Sequence, residues 1–189
     1  MRISLRLALL TLLALPLAAW AFFRPIRVLV PELAGVRCYS GGVCSDDPAR
    51  VSEALSLKLD AVQFVQRKIG KIENVPRMVF CSSSDCDKSF GFNARASYNL
   101  GTSGLAVSSR GWRDYYVRHE LIHHIQGERL GAIRLWLFTP KWFIEGMAYS
   151  LSEDPGHPLQ EPFEGFRSKY ERWASQIPSH ALWSRAEEL

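Results

Sequence analysis

The chain has 189 residues, 47% of them apolar and 22% charged, which excludes a wholly disordered polypeptide and fits one compact domain. The net charge of +4 is partly carried by Arg2 and Arg6 in an N-terminal leader. The remaining excess is too small to point to a nucleic-acid partner.

The leader comes first. Arg2 and Arg6 precede an uncharged run of 17 residues, Leu7 to Phe23. Ala19-Trp20-Ala21 has the small-x-small pattern of a signal-peptidase site, with cleavage after Ala21. The same run is at the short edge of what spans a bilayer, with Trp20, Phe22 and Phe23 at the interface and Arg24 and Arg27 beyond. Residues 1–23 are therefore read as a signal peptide or an N-terminal membrane anchor. In both cases residues 24–189 are an exported domain, periplasmic or otherwise extracytoplasmic, and an uncleaved 7–23 segment would tie it to the membrane.

Residues 24–47 are punctuated by Pro and Gly and read as irregular. Asp47 followed by Pro48 is a helix start, an N-cap acid before Pro at the first position. Val51, Leu55, Leu59, Val62, Val65 and Ile69 follow at helical spacing, and Gly70 fits the stop. Met78–Cys81 reads as a short buried strand. Residues 82–102 are rich in Ser, Asp, Asn and Gly and read as loops that can include one weak strand. Gly104–Ser108 alternates as a strand does. A long helix is expected over 112–130, closed by Gly131. Another starts at Thr139-Pro140, with Thr as cap, and runs to about Ser152. A last helix covers 162–177, and the Trp173–Trp183 region reads as a tail packed on the core. This order predicts an α+β domain.

Four cysteines, Cys38, Cys44, Cys81 and Cys86, agree with export. Their spacing suggests the short-loop bridges Cys38–Cys44 and Cys81–Cys86, although three pairings exist and sequence does not choose among them. A metal site of two cysteine pairs is disfavoured, since the C-x5-C and C-x4-C spacings are long for zinc.

The chemistry centres on His119-Glu120-Leu121-Ile122-His123, an H-E-x-x-H motif inside the long helix. With His119 at zero on a helical wheel, His123 falls at about 40° and Glu120 at about 100°. Two imidazoles one turn apart can share a metal ion, with a carboxylate beside them. His124, at about 140°, is read as a surface residue or a support behind the ligands. A third ligand is sought, because catalytic zinc takes three protein ligands. Glu145 supplies it, 22 residues beyond His123 in the next helix. Its neighbours Trp142, Phe143, Ile144, Met147 and Ala148 leave little polar face, and a carboxylate in such surroundings needs a partner.

H-E-L-I-H followed by Pro140-Lys141-Trp142-Phe143-Ile144-Glu145-Gly146-Met147-Ala148 resembles the gluzincin branch of the zincin metallopeptidases, in particular peptidase-MA-like families with a W-x-x-E-G-x-A segment. The resemblance is specific over residues 100–153. It implies a zincin-like fold: a small sheet with a backing helix, an H-E-x-x-H active-site helix and a following glutamate helix. It implies one zinc ion held by His119, His123 and Glu145, with Glu120 as general base activating the zinc-bound water, and a peptide or protein substrate aligned on strand 104–108 as an edge strand. Where some gluzincins place an Asp one turn after the third ligand, this chain has Tyr149, so the acceptor behind the zinc-bound histidines is unassigned. Tyr149, Tyr170, His157 and His180 are candidate donors to the oxyanion or supports of the ligands.

Three rival readings stand beside the peptidase: a zinc hydrolase with a non-peptide substrate, a membrane-tethered binding or assembly factor with a structural or vestigial zinc site, and a disulfide-stabilised domain without metal. Arg110, Arg113 and Arg118 flank the start of the active helix. They are read as a solvated face rather than an anion site.

Overall fold

A computed structural model describes residues 15, 18–20 and 22–189. Most of the leader, including its basic end and the expected cleavage point at Ala21, lies outside the described residues. Among the described residues no helix is long and apolar enough to cross a membrane.

The domain is α+β. Five three-residue strands form one mixed sheet: β1 (Arg37–Tyr39), β2 (Val43–Ser45), β3 (Met78–Phe80), β4 (Ser97–Asn99) and β5 (Leu105–Val107). Their spatial order is β1-β2-β3-β5-β4. The central β2, β3 and β5 are parallel, and β1 and β4 are antiparallel to their neighbours. Residues 24–47, expected to be irregular, thus carry two strands, and their Gly41 and Gly42 take the positive φ angles of the tight turn between them.

Side-chain alternation along the strands sorts the core into two layers. Val43, Met78, Phe80, Leu105 and Val107 face one side, where they meet helices. Cys44, Val79 and Ala106 face the other, against Val28, Val36, Phe90 and Tyr98. The first side is covered by α1 (Val51–Lys68) and α3 (Asp114–Leu130). The second is covered by the turns before β1 and by α2 (Ser84–Phe90), a helix in a stretch expected to be loop. Ser83 caps α2 by accepting from the Cys86 amide, and Gly91 closes it in the left-handed conformation. These local signals outweigh the polar composition.

The backing helix α1 starts as expected, with the Asp47 side chain accepting from the Ala49 amide ahead of a short 3-10 turn. Its buried face differs from the expected one. Ala54, Lys58, Ala61, Phe64 and Val65 point inward, whereas Leu59 is exposed. The two alanines let α1 lie close to its neighbours. Lys58 is tolerated inside because its ammonium donates to the carbonyls of Gly42 and Pro76.

After α3 come α4 (Ala132–Leu137), α5 (Lys141–Leu151), α6 (Phe163–Ala174) and α7 (Leu182–Ala186). The expected connection between the two ligand helices therefore contains a further short helix. Pro140, not Thr139, is the cap residue of α5; the Thr139 hydroxyl turns back to the Arg134 carbonyl. Trp173 and Trp183 pack against the core, as expected of the C-terminal region.

Both short-loop disulfides are present, Cys38–Cys44 across β1 and β2 and Cys81–Cys86 between the end of β3 and α2. They suggest an oxidising, extracytoplasmic environment.

Candidate metal centre

His119 and His123 lie one turn apart on α3, and Glu145 faces them from the second turn of α5. Their side chains are largely but not wholly covered, at 12%, 13% and 31% exposure. His119 Nε2 and His123 Nε2 are 3.1 Å apart. Glu145 Oε2 lies 3.7 Å from the first and 3.8 Å from the second. A point equidistant from these three atoms is about 2.1 Å from each, the length of a zinc–nitrogen or zinc–carboxylate bond. The three residues form a group able to hold a metal ion.

Proton placement supports the same use. The Gln126 side-chain amide donates from Nε2 to the Ile144 carbonyl at 3.0 Å, so its Oε1 faces His123 Nδ1 at 2.9 Å. The reverse orientation would set two acceptors against each other. His123 must therefore carry its proton on Nδ1, which leaves the Nε2 lone pair aimed into the His119–Glu145 gap. Burial, and then the neighbouring His119, push the His123 pKa below the usual imidazole range, which keeps that lone pair free. Burial opposes ionisation of Glu145, but the His119 and His123 imidazoles facing it outweigh that cost and hold its carboxyl below the ordinary value.

Gln126 is the acceptor that sequence left unassigned. It is fully buried and comes from the ligand helix itself rather than from the position of Tyr149. Its spacing of seven from His119 puts it within about 20° of that residue on the wheel, so periodicity alone could have found it.

Glu120 is buried beside the ligands, and its carboxylate accepts from the Ser97 hydroxyl at 2.8 Å. The Asn99 side-chain amide donates to the Glu120 carbonyl at 3.3 Å. Both partners stand on β4. Burial raises the Glu120 pKa, partly offset by the neighbouring His123 and the Ser97 bond. The shift moves the carboxyl away from a permanently ionised surface acid. Nothing in the sequence around Ser97 marked this role, because a three-residue strand in a polar stretch leaves no periodic signal.

Tyr149 is the one candidate donor at the site. Its ring meets His119 edge-on at 4.5 Å, and burial together with Glu145, Asp154 and Glu120 pushes its phenol up to about 12. Tyr170 is instead a core residue on α6, stacked among Phe143 and Trp173. His180 is exposed in a 3-10 turn near the C-terminus. His157 pairs with Arg167 in the loop between α5 and α6. None of these three has a contact with the metal-ligand group.

Three other expectations are corrected. His124 is neither a surface residue nor a support of the ligands; it is fully buried, with Nε2 2.8 Å from the Asn74 carbonyl and near Glu128. Arg118 is not a solvated charge, since it pairs with Asp60, Asp114 and Glu153 and lies over the Phe64 ring. The strand at 104–108 is not the sheet edge, because β5 is flanked by β3 and β4. The edge on that side is β4, which also touches α3 and supplies Ser97 and Asn99.

Gly146 explains one position of the W-x-x-E-G-x-A segment. A Cβ there would lie 2.3 Å from the Phe166 carbonyl oxygen and 2.8 Å from Tyr170 Cβ. Only glycine lets α6 press against α5 directly behind Glu145. Compared with protein-family profiles, curated proteins and solved structures, the chain finds a match in none of the three.

Proposed function

We propose that this chain is a zinc-dependent peptidase acting outside the cytoplasm, of the gluzincin kind that its H-E-x-x-H and W-x-x-E-G-x-A segments resemble. The observation that carries the reading is the convergence of His119 Nε2, His123 Nε2 and Glu145 Oε2 at metal-bonding separation, beside a buried carboxylate that none of them uses. When bound there, zinc would polarise a scissile carbonyl and acidify a water. Glu120 takes the proton of the attacking water and delivers it to the leaving amine. Ser97 holds the Glu120 carboxylate in place from β4, and Gln126 holds His123 in the tautomer that can bind metal. Tyr149, beside His119, is the donor placed to meet negative charge developing on the substrate oxygen.

The rival with a purely structural metal, in a binding or assembly factor, leaves Glu120 without purpose. Burying a carboxylate costs free energy, and a structural site has no need of it. The test is metal analysis and cleavage of a generic protein substrate, run side by side on the wild type and Glu120→Gln. One bound zinc in both, with turnover only in the wild type, supports the peptidase. Bound zinc without cleavage by either favours the binding role. Full activity of Glu120→Gln removes the assignment of the base.

A further inference from the structure

The short helix α4 between the two ligand helices has an unusual surface. Ile133, Trp136, Leu137 and Phe138 are 56% to 84% exposed, within six consecutive residues. Leu130 and Leu135 anchor the segment to the core, and Gly131 breaks the chain direction between α3 and α4 with a positive φ. The apolar side chains beyond them therefore stand off the body of the protein. Isolated exposed apolar residues are ordinary; four large ones side by side mark a contact surface.

The charged residues within the segment itself are of one sign. Residues 129–144 contain Arg129, Arg134 and Lys141 and no acidic residue. The hydrogen bonds of Arg129 and Arg134 go to the backbone carbonyls of Lys71 and Glu187 rather than to carboxylates, and of the two Arg129 also feels the charge of Glu73. Lys141 is exposed. A second copy docking patch to patch would bring these cations together, which disfavours self-association. Exposed Trp and Phe in a segment whose own charged residues are Arg and Lys match the headgroup boundary of an anionic bilayer, where aromatic rings sit at the interface and cations meet lipid phosphates.

We infer that α4 is a membrane-surface contact, inserting Ile133, Trp136, Leu137 and Phe138 into the interfacial layer of an anionic membrane while Arg129, Arg134 and Lys141 meet its headgroups. The contact is separate from the leader and does not depend on the metal site. It would hold the ligand helices at a fixed attitude to the lipid surface.

The test uses the full chain, leader included, in nanodiscs of phosphatidylcholine with or without phosphatidylglycerol, read by local hydrogen exchange. Local readout separates α4 from the leader. Amides of residues 132–139 are expected to exchange about tenfold more slowly in the anionic discs than in the Ile133→Ser/Trp136→Ser/Phe138→Ser variant under the same conditions. Brominated lipid should quench wild-type fluorescence more than that of Trp136→Phe, a variant with little effect on folding at so exposed a position. Equal exchange in wild type and variant, with equal quenching, overturns the proposal. So does protection that appears equally without anionic lipid and grows with protein concentration, which would assign the patch to a second copy.

Discussion

Gln126 offers the sharpest test of how the metal centre is held. Gln126→Met preserves the volume of a fully buried side chain but removes two hydrogen bonds, from His123 Nδ1 and to the Ile144 carbonyl. Without its acceptor, His123 has no reason to keep its proton on Nδ1, and the alternative tautomer places a hydrogen where the metal should be. Loss of such a partner typically weakens metal binding by about 10- to 100-fold, or roughly 1.4–2.7 kcal/mol. Two buried polar groups are also stranded, which costs the metal-free protein about 2–4 kcal/mol. The assay is a zinc titration against a chromophoric chelator, paired with urea unfolding in the presence of chelator. Gln126→Glu serves as the control. It keeps an acceptor on His123 but opposes a carboxylate oxygen to the Ile144 carbonyl, so it should bind zinc nearly as well as the wild type while losing stability. If Gln126→Met binds zinc as tightly as the wild type, the orientation argument is wrong, whatever happens to its stability.

On the peptidase reading, Ser97→Ala should lower kcat about tenfold with zinc affinity unchanged, because it loosens the charged acceptor Glu120 and no metal ligand; steady-state kinetics beside the chelator titration check this. Gly146→Ala forces α5 and α6 apart at a backbone carbonyl, so a loss of at least about 2 kcal/mol in urea unfolding, with weaker zinc binding through displaced Glu145, is expected. Burial lowers the Lys58 pKa to about 8, whereas the unfolded chain titrates near 10.4. Between these values the unfolded state holds more protons, so stability should rise with pH. The wild type should gain about 2–3 kcal/mol on Lys58→Met from pH 8 to pH 10.5, and a flat difference in pH-dependent urea melts would refute the burial of a charged amine.

Legibility in the sequence followed the strength of the local signal. His119, His123 and Glu145 could be grouped because helical spacing converts residue numbers into directions, and α3 and α5 are helices long enough for that conversion to hold. Disulfides were expected from compartment, and spacing suggested the pairing that the structure has without excluding the other two. The strands were less readable because each has only three residues, too few for alternation to show. That is why β1 and β2 escaped, and why the one weak strand allowed within 82–102 was not recognised as the edge that carries Ser97. The face of α1 was misjudged for a different reason. Periodicity of large apolar residues selected Leu59, but Ala54 and Ala61 allow close packing and so decide which face turns inward. Lys58 and His124 are buried by carbonyls of distant loops, at Pro76 and Asn74, which no local pattern announces.

The relation between β4 and the Glu120 carboxylate bears, on the peptidase reading, on substrate presentation. Ser108 donates to the Ala96 carbonyl, and Leu100 donates to the Gly104 carbonyl, so positions 96 and 100 face β5. By antiparallel alternation the backbone groups of Ser97 and Asn99 point away from the sheet, toward open edge. The side chains of the same two residues bind Glu120, one at its carboxylate and one at its carbonyl. On the peptidase reading, an extended peptide added to this edge would be positioned by backbone pairing, independently of its side chains. The strand that pairs with it would also fix the base, so substrate register and base position cannot drift independently. Displacing β4 should then cost activity through both at once, whereas a change confined to the ligand side, such as Gln126→Met, should act through metal affinity alone.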